Sequence, residues 1–311
     1  MAFPLKNRNA KFETAMKIKF LLSYTLIWLA PLMASAQQDT NDYTKLISVD
    51  AYFQRGVLAA KQARFENAMA DFSMAIQLDP TNSMLAYMGR GTLKADRNRD
   101  LDGAIADFSK AIELQPKNKY AKYEAVAYFG RGAAKESKID REGAMADFSK
   151  AIELKPDYVE AYFRRGFIKD GKGDVNGAMA DYNQAIEFKP DDAEVYNNRG
   201  ILKFQIGDTK GAITDYNQAI RYRPNDVKAY RNRGNAFVKR GDWNAALTDF
   251  DKAIELNPNN AVFYAARSAV KKQKGDLKEA LADSNKAIEL EPTNQDFLTW
   301  RDTIQKEIKQ K

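Results

Sequence analysis

Along most of this chain, apolar residues fall in short helical stripes that stop and restart at regular places. Between Val159 and Asp170 the apolar positions include Val159, Tyr162, Phe163, Phe167 and Ile168, the spacing of one helix face. Gly171-Lys172-Gly173-Asp174 interrupts that stripe: glycine supplies a left-handed stop, and Asp174 is a good N-cap for a second helix. Val175 to Phe188 resumes the pattern with Ala178, Tyr182, Ala185 and Ile186 on one face, and Pro190 ends it. The stretch predicts two antiparallel helices joined by a tight turn.

The same phrase returns throughout. Pro80, Pro116, Pro156, Pro190, Pro224, Pro258 and Pro292 each close a unit, and the last five are spaced by 34 residues. Ahead of each stands Ala-x-x-Asp-(aromatic or Ser)-x-x-Ala-Ile, from Ala68, Asp71, Phe72, Ala75 and Ile76 to Ala280, Asp283, Ser284, Ala287 and Ile288. A fixed period of this length marks a stacked-repeat architecture. Glycine recurs inside the first helix at Gly56, Gly91, Gly132, Gly166, Gly200 and Gly234, at a cost of roughly 1 kcal/mol against alanine. That predicts a close approach by the aromatic of the second helix. Arginine recurs too: Arg55, Arg131, Arg165, Arg199, Arg233 and Arg267 each precede the unit's aspartate by 16 residues, and Arg90 precedes Asp107 by 17. Because a half-buried charge needs a partner, the pairing predicts an ion pair between the two helices of each unit.

This pattern resembles the tetratricopeptide repeat. The family's aromatic near the start of the first helix matches Tyr52, Tyr87, Tyr128, Tyr162, Tyr196, Tyr230 and Tyr264, and its glycine, alanine, aromatic and proline match the residues above. Seven units are delimited, at 49–82, 84–117, 118–157, 159–192, 193–226, 227–260 and 261–293. One position departs from the family: its usual leucine before the glycine is arginine in every unit. The resemblance implies an all-α, right-handed superhelical solenoid of helix-turn-helix repeats. A capping helix at 294–311 would close it with the apolar stripe Phe297, Trp300, Ile304 and Ile308.

The resemblance also implies that the first helices line a concave groove, where peptides lie against the second, fifth, ninth, twelfth and thirteenth positions of each unit. Those positions include apolar Phe53, Val57, Met88, Phe129, Phe163, Phe167, Ile201 and Phe204 in the early and middle units. The late units present Lys228, Arg231, Asn235, Lys239 and Lys272, with Asn197 at the boundary. The expected ligand is an extended segment of another protein, its apolar side chains on the phenylalanines and its acidic part or C-terminal carboxylate at the basic end. Packing of these phenylalanines between neighbouring helices is the competing reading. The family's carboxylate clamp is not reproduced, because Ala266 stands where the clamp has asparagine.

Two irregularities break the period. Asp96 to Asp102 holds an extra residue and its charge predicts an exposed loop. The gap from Pro116 to Gly132 is 16 residues against a regular 10, and includes Tyr120 and Tyr123; it predicts a first helix longer by roughly 9 Å, forming a spur. Trp243, after Gly241-Asp242, is read as packing.

Residues 1–36 lie outside the repeats. Lys17 and Lys19 precede an apolar run from Phe20 to Met33, and Ala34-Ser35-Ala36 has the form of a signal-peptidase site. The expectation is a secretory signal peptide cleaved after Ala36, with Met16 as an alternative start, then a flexible linker at 37–48. Export to the periplasm or the cell exterior follows; contact with a membrane would come only through an uncleaved leader. The leader holds five basic residues and Glu13, a net +4, so the +7 of the whole chain leaves +3 for the rest. Nucleic acid is therefore not an expected partner. With no histidine and no cysteine, the usual general base, zinc ligands and Cys or Ser–His nucleophiles are missing. No catalytic residue, cofactor or metal site is assigned. The function expected is a non-catalytic interaction scaffold in the cell envelope; its rivals are a cell-wall glycan binder, stacking sugars on the same aromatics, and a self-assembling structural protein.

Overall fold

A computed structural model of the chain describes residues 43–114 and 121–310. These are helical, and no strand occurs among them. The helices are α1 (Tyr43–Lys61), α2 (Phe65–Leu78), α3 (Met84–Leu93), α4 (Leu101–Glu113), α5 (Ala121–Ser137), α6 (Arg141–Leu154) and α7 (Val159–Gly171). After them come α8 (Val175–Phe188), α9 (Ala193–Gln205), α10 (Thr209–Tyr222), α11 (Val227–Arg240), α12 (Trp243–Leu256), α13 (Ala261–Lys274), α14 (Leu277–Leu290) and α15 (Gln295–Gln310). Each repeat is a helix pair, so the chain is an all-α helical-repeat solenoid. It divides into two compact units, Met1–Ile168 and Lys169–Lys311.

The turns follow from their residues. Asp100, Asp140, Asp174 and Asp208 each accept a hydrogen bond from the backbone N–H three residues on, at Gly103, Gly143, Gly177 and Gly211, at 2.8–2.9 Å. Gly173, Gly207, Gly241 and Gly275 take the left-handed conformation just before the second helix. Ala63 and Ile139 hold the equivalent place at φ 59° and 68°.

The aromatic slots form the core. In the first unit Phe72, Phe108 and Phe148 are fully buried between pairs of alanines such as Ala68 and Ala75. A Cβ on Gly56 would lie 2.7 Å from the Phe72 ring, and one on Gly89, in the next repeat, 2.8 Å from it. Each such ring is therefore held between its own repeat and the following one. In the second unit Tyr216 sits the same way, 2.7 Å from a Cβ placed on Gly200. The last repeat has Ser268 and Ser284 instead of glycine and aromatic, and Trp300 of α15 donates its indole N–H to the Ser268 hydroxyl at 3.0 Å. Phe297 and Ile304 of α15 are buried, so this helix covers the end of the second unit as expected. Trp243 packs, partly buried, with Phe250 and Val270.

Three expectations are corrected. The charged stretch after Lys94 is not a loop at its start: Lys94–Asn98 is a π-helical turn continuing α3, and Arg99 (φ 51°) ends it. A π turn absorbs one added residue without breaking the helix, which is why Arg90 still reaches Asp107. Residues 43–48, read as linker, belong to α1. The long first helix is α5, 17 residues against 13 for α7 and α9. Tyr123, however, is buried in the first unit's core rather than displayed on a spur. The leader, residues 37–42 and Tyr120 lie outside the described residues.

Candidate partner-binding surface

The arginines that depart from the family pattern fix the phase of every first helix. Arg90, Arg131, Arg199, Arg233 and Arg267 each grip their repeat's aspartate with two nitrogens, Nε at 2.8–2.9 Å and Nη2 at 2.6–2.7 Å. Arg55 grips Asp71 likewise. The aspartates are buried, and lysine one turn beyond the arginine adds a third contact: Lys94, Lys135, Lys203 and Lys271 lie 2.7–2.9 Å from the same carboxylates. Lys169 does so for Asp181 at 2.8 Å. Bidentate geometry with the remaining lone pair satisfied is what lets a buried carboxylate stay charged.

Each guanidinium also stacks near the tyrosine three residues earlier, 5.2–5.6 Å from its centroid for Arg90, Arg131, Arg199, Arg233 and Arg267. Its last nitrogen, Nη1, reaches the preceding repeat. Arg90, Arg131 and Arg165 donate to the hydroxyls of Ser73, Ser109 and Ser149 at 3.0–3.4 Å. Arg199 and Arg233 donate to Asn183 and Asn217, and Arg267 to Asp251, all at 2.7 Å. The only trace of this second arm in the sequence is a polar residue two places after each aspartate. The hydrogen bonds to Asp283 raise the Arg267 pKa, with the Asp251 contacts adding to them against burial. Asp249, which has Phe237 instead of a lysine one turn beyond Arg233, has its pKa raised by burial despite the hydrogen bonds from Arg233. These charges are structural, as their pairing predicts.

With that phase set, the predicted groove residues separate into two classes. Phe53, Val57, Met88, Phe129 and Asn197 are buried and belong to the core, not to a displayed surface. Phe53 packs on Phe72, with ring centroids 5.9 Å apart, and Phe129 on Phe148 and Tyr158 at 5.5 and 4.9 Å. Asn197 accepts a hydrogen bond from buried Asn232 at 2.9 Å. For these residues the competing reading holds: neighbouring helices cover Phe53, Met88, Phe129 and Asn197 at the fifth position and Val57 at the ninth. Phe163 and Phe167 are half-buried on α7.

The second unit keeps a displayed set. On α9, Ile201 and Phe204 are half-buried against Tyr216 and Ala236. On α11, Lys228 and Lys239 are exposed while Arg231 and Asn235 are half-buried. Lys239 Nζ sits 4.8 Å from the Phe204 ring centroid, so the apolar and basic positions of adjacent first helices meet. Arg231 donates to the Asn232 side chain at 3.2 Å. Lys272 is not available in the same way: it pairs with Glu307 of α15 at 2.7 Å and lies 5.7 Å from the Trp300 ring. Asp170, half-buried at the end of α7, has a pKa raised by burial.

Family models described as "Tetratricopeptide repeat" match residues 49–82, 227–260 and 261–294, and one described as "TPR repeat" matches 172–207 and 202–239. No curated protein matches the chain. Among solved structures, MamA is 25% identical over 52% of this chain and 94% of its own, with a TM-score of 0.50. YrrB, a TPR protein with an unusual peptide-binding site, is 24% identical over 62% of this chain and 96% of its own, with a TM-score of 0.53. The C-terminal part of a TPR repeat-containing protein from Cytophaga hutchinsonii is 18% identical over 80% of this chain and 98% of its own, at a TM-score of 0.64.

Proposed function

The chain belongs to the tetratricopeptide repeat family, and from that premise we propose that it is an exported, non-catalytic adaptor holding extended segments of partner proteins against its first helices. The repeats make it a protein-interaction scaffold. The observation that carries the finer reading is the meeting of Phe204, Ile201, Lys228 and Lys239 on α9 and α11. Apolar side chains of a partner segment would lie on Ile201 and Phe204, and its acidic residues or C-terminal carboxylate would meet Lys228 and Lys239. Half-buried Arg231 and Asn235 offer further donors between them. Burial of the aromatic edge supplies affinity and the lysines supply orientation and on-rate. Catalysis has no support in the side-chain inventory, which contains neither histidine nor cysteine. Export rests on the leader motif alone.

The test is affinity capture from the producing cell's fractions with the full chain and with Lys228→Glu/Lys239→Glu, two exposed positions whose replacement leaves the fold intact. A partner captured by the first and lost with the second, at equal melting temperature, supports inner-face binding. Equal capture refutes it. Fractionation, with the mature N-terminus read by mass spectrometry, tests export: an intact Met1 or Met16 in the cytoplasm would refute it.

A further inference from the structure

The first repeat is built as though another helix preceded it. In every later repeat, the third, seventh and tenth positions of the first helix are covered by the second helix of the repeat before. In α3 these are Ala86, Arg90 and Leu93; Ala86 and Leu93 are fully buried, and Arg90 reaches across to Ser73 of α2. The same three positions in α1 are Ala51, Arg55 and Leu58, an identical triad. There nothing covers them among the described residues. Ala51 is exposed, Leu58 is 51% exposed, and the Arg55 side chain is 64% exposed where the later clamped arginines are at 15–20%. Arg55 uses Nε and Nη2 on Asp71, and among the described residues its Nη1 has no counterpart of the acceptor that every later arginine finds in the preceding repeat.

The opposite end is treated differently. α15 continues the phase of a first helix, with Phe297, Arg301 and Ile304 at the third, seventh and tenth positions. Its outer side carries exposed Thr299, Asp302 and Thr303, and Asp302 stands where a glycine would admit a following ring. Repeat arrays need polar outer faces at their ends. Among the described residues, one is supplied at α15 and none at α1.

We propose that the α1 face docks an amphipathic α-helix from a partner protein, lying as a second helix of a repeat lies and placing Asp, Asn or Ser opposite Arg55. The molecule's own interfaces specify this ligand: the acceptors at the later rungs are serine, asparagine and aspartate, and Arg267–Asp251 shows the carboxylate version at 2.7 Å. A carboxylate complements the exposed guanidinium best. Within the array, a second helix ends five residues before the next repeat begins, as from Leu256 to Ala261; residues 45–48, which hold the place of that turn, are inside α1, so the turn that joins repeats is not formed there. This surface is distinct from the inner-face site on α9 and α11.

The experiment uses the full chain, purified with its native N-terminus, and a synthetic peptide of residues 65–79, the sequence that covers the identical triad in α3. A staple across its solvent face holds it helical. Fluorescence anisotropy should show saturable binding, tighter by about fivefold for the Ser73→Asp peptide and weaker by at least tenfold when the chain carries Leu58→Asp. Leu58 is already half in solvent, so that variant keeps its fold; an unchanged melting temperature checks it. A photo-cross-linker at position 58 then identifies the occupant. Labelling of the peptide, displaced in cell extract by a partner whose cross-linked segment is helical and acidic, supports the proposal. No binding at millimolar peptide, affinity indifferent to Leu58→Asp, or cross-links to a second copy or to residues before 43 would overturn it.

Discussion

Removing one aspartate of the ladder tests whether these charges hold the repeats together. Asp215 is 2% exposed and accepts from Arg199 Nε at 2.8 Å, Arg199 Nη2 at 2.7 Å and Lys203 Nζ at 2.8 Å. Arg199 also donates to Asn183 in the previous repeat at 2.7 Å. Asp215→Ala leaves two cations, only 15% and 19% exposed, without their anion. Breaking a buried pair from one side costs about 3–5 kcal/mol, and because both cations can relax partly toward solvent the lower end applies, about 3 kcal/mol. Arg199→Leu should cost about 2 kcal/mol, since Lys203 still neutralises Asp215 while Asn183 loses its donor. In the double variant the stranded charge is gone, so the cost should fall about 2 kcal/mol short of the sum of the singles. Urea denaturation followed by circular dichroism reads the totals. Hydrogen exchange in α9 and α10 reads the local loss, which matters because a repeat array need not unfold in one step. An Asp215→Ala cost below about 1 kcal/mol, or strict additivity, would refute the reasoning and reduce the ladder to surface pairing.

Other consequences are open to measurement. Gly200→Ala puts a methyl group 2.7 Å from the Tyr216 ring, and should destabilise by about 2 kcal/mol with chemical shifts confined to α9–α11. Ile139 is 76% exposed and holds φ 68°, a conformation costly for a β-branched residue; Ile139→Gly should raise stability by about 1 kcal/mol, and a fall in melting temperature would contradict this. The Asp79 carboxylate accepts hydrogen bonds from Thr81 and Asn82, which hold its pKa down at about 2 against a usual 3.8. Its stabilisation is fully present above pH ~3.8 and is lost as pH falls through about 2. Discounted for solvent, the contribution is about 1 kcal/mol, so Asp79→Asn should lower stability at pH 6 and leave it nearly unchanged near pH 1.5.

The sequence by itself determined the period, the helix pairs, the turns and the partner of each clamped arginine. It could do so because these depend on spacing along one chain: 3.6 residues per turn puts arginine, tyrosine and glycine on fixed sides of a helix, and a constant interval to the aspartate keeps two helices in register. The glycine–aromatic slots were legible for the same reason. Only the tertiary structure decided which of the inward positions are displayed. Phe53, Met88 and Phe129 share a repeat position with Arg231, yet the first three are buried and Arg231 is half-exposed. How closely the next first helix approaches depends on side chains one repeat away, which periodicity within a unit does not encode. The π turn that absorbs the extra residue after Lys94, the Nη1 arm to the preceding repeat, and the uncovered Ala51–Arg55–Leu58 face are likewise facts of neighbouring repeats. A leucine at the tenth position reads identically in α1 and α3. It is core in one and surface in the other because a helix lies over Leu93 and, among the described residues, none lies over Leu58.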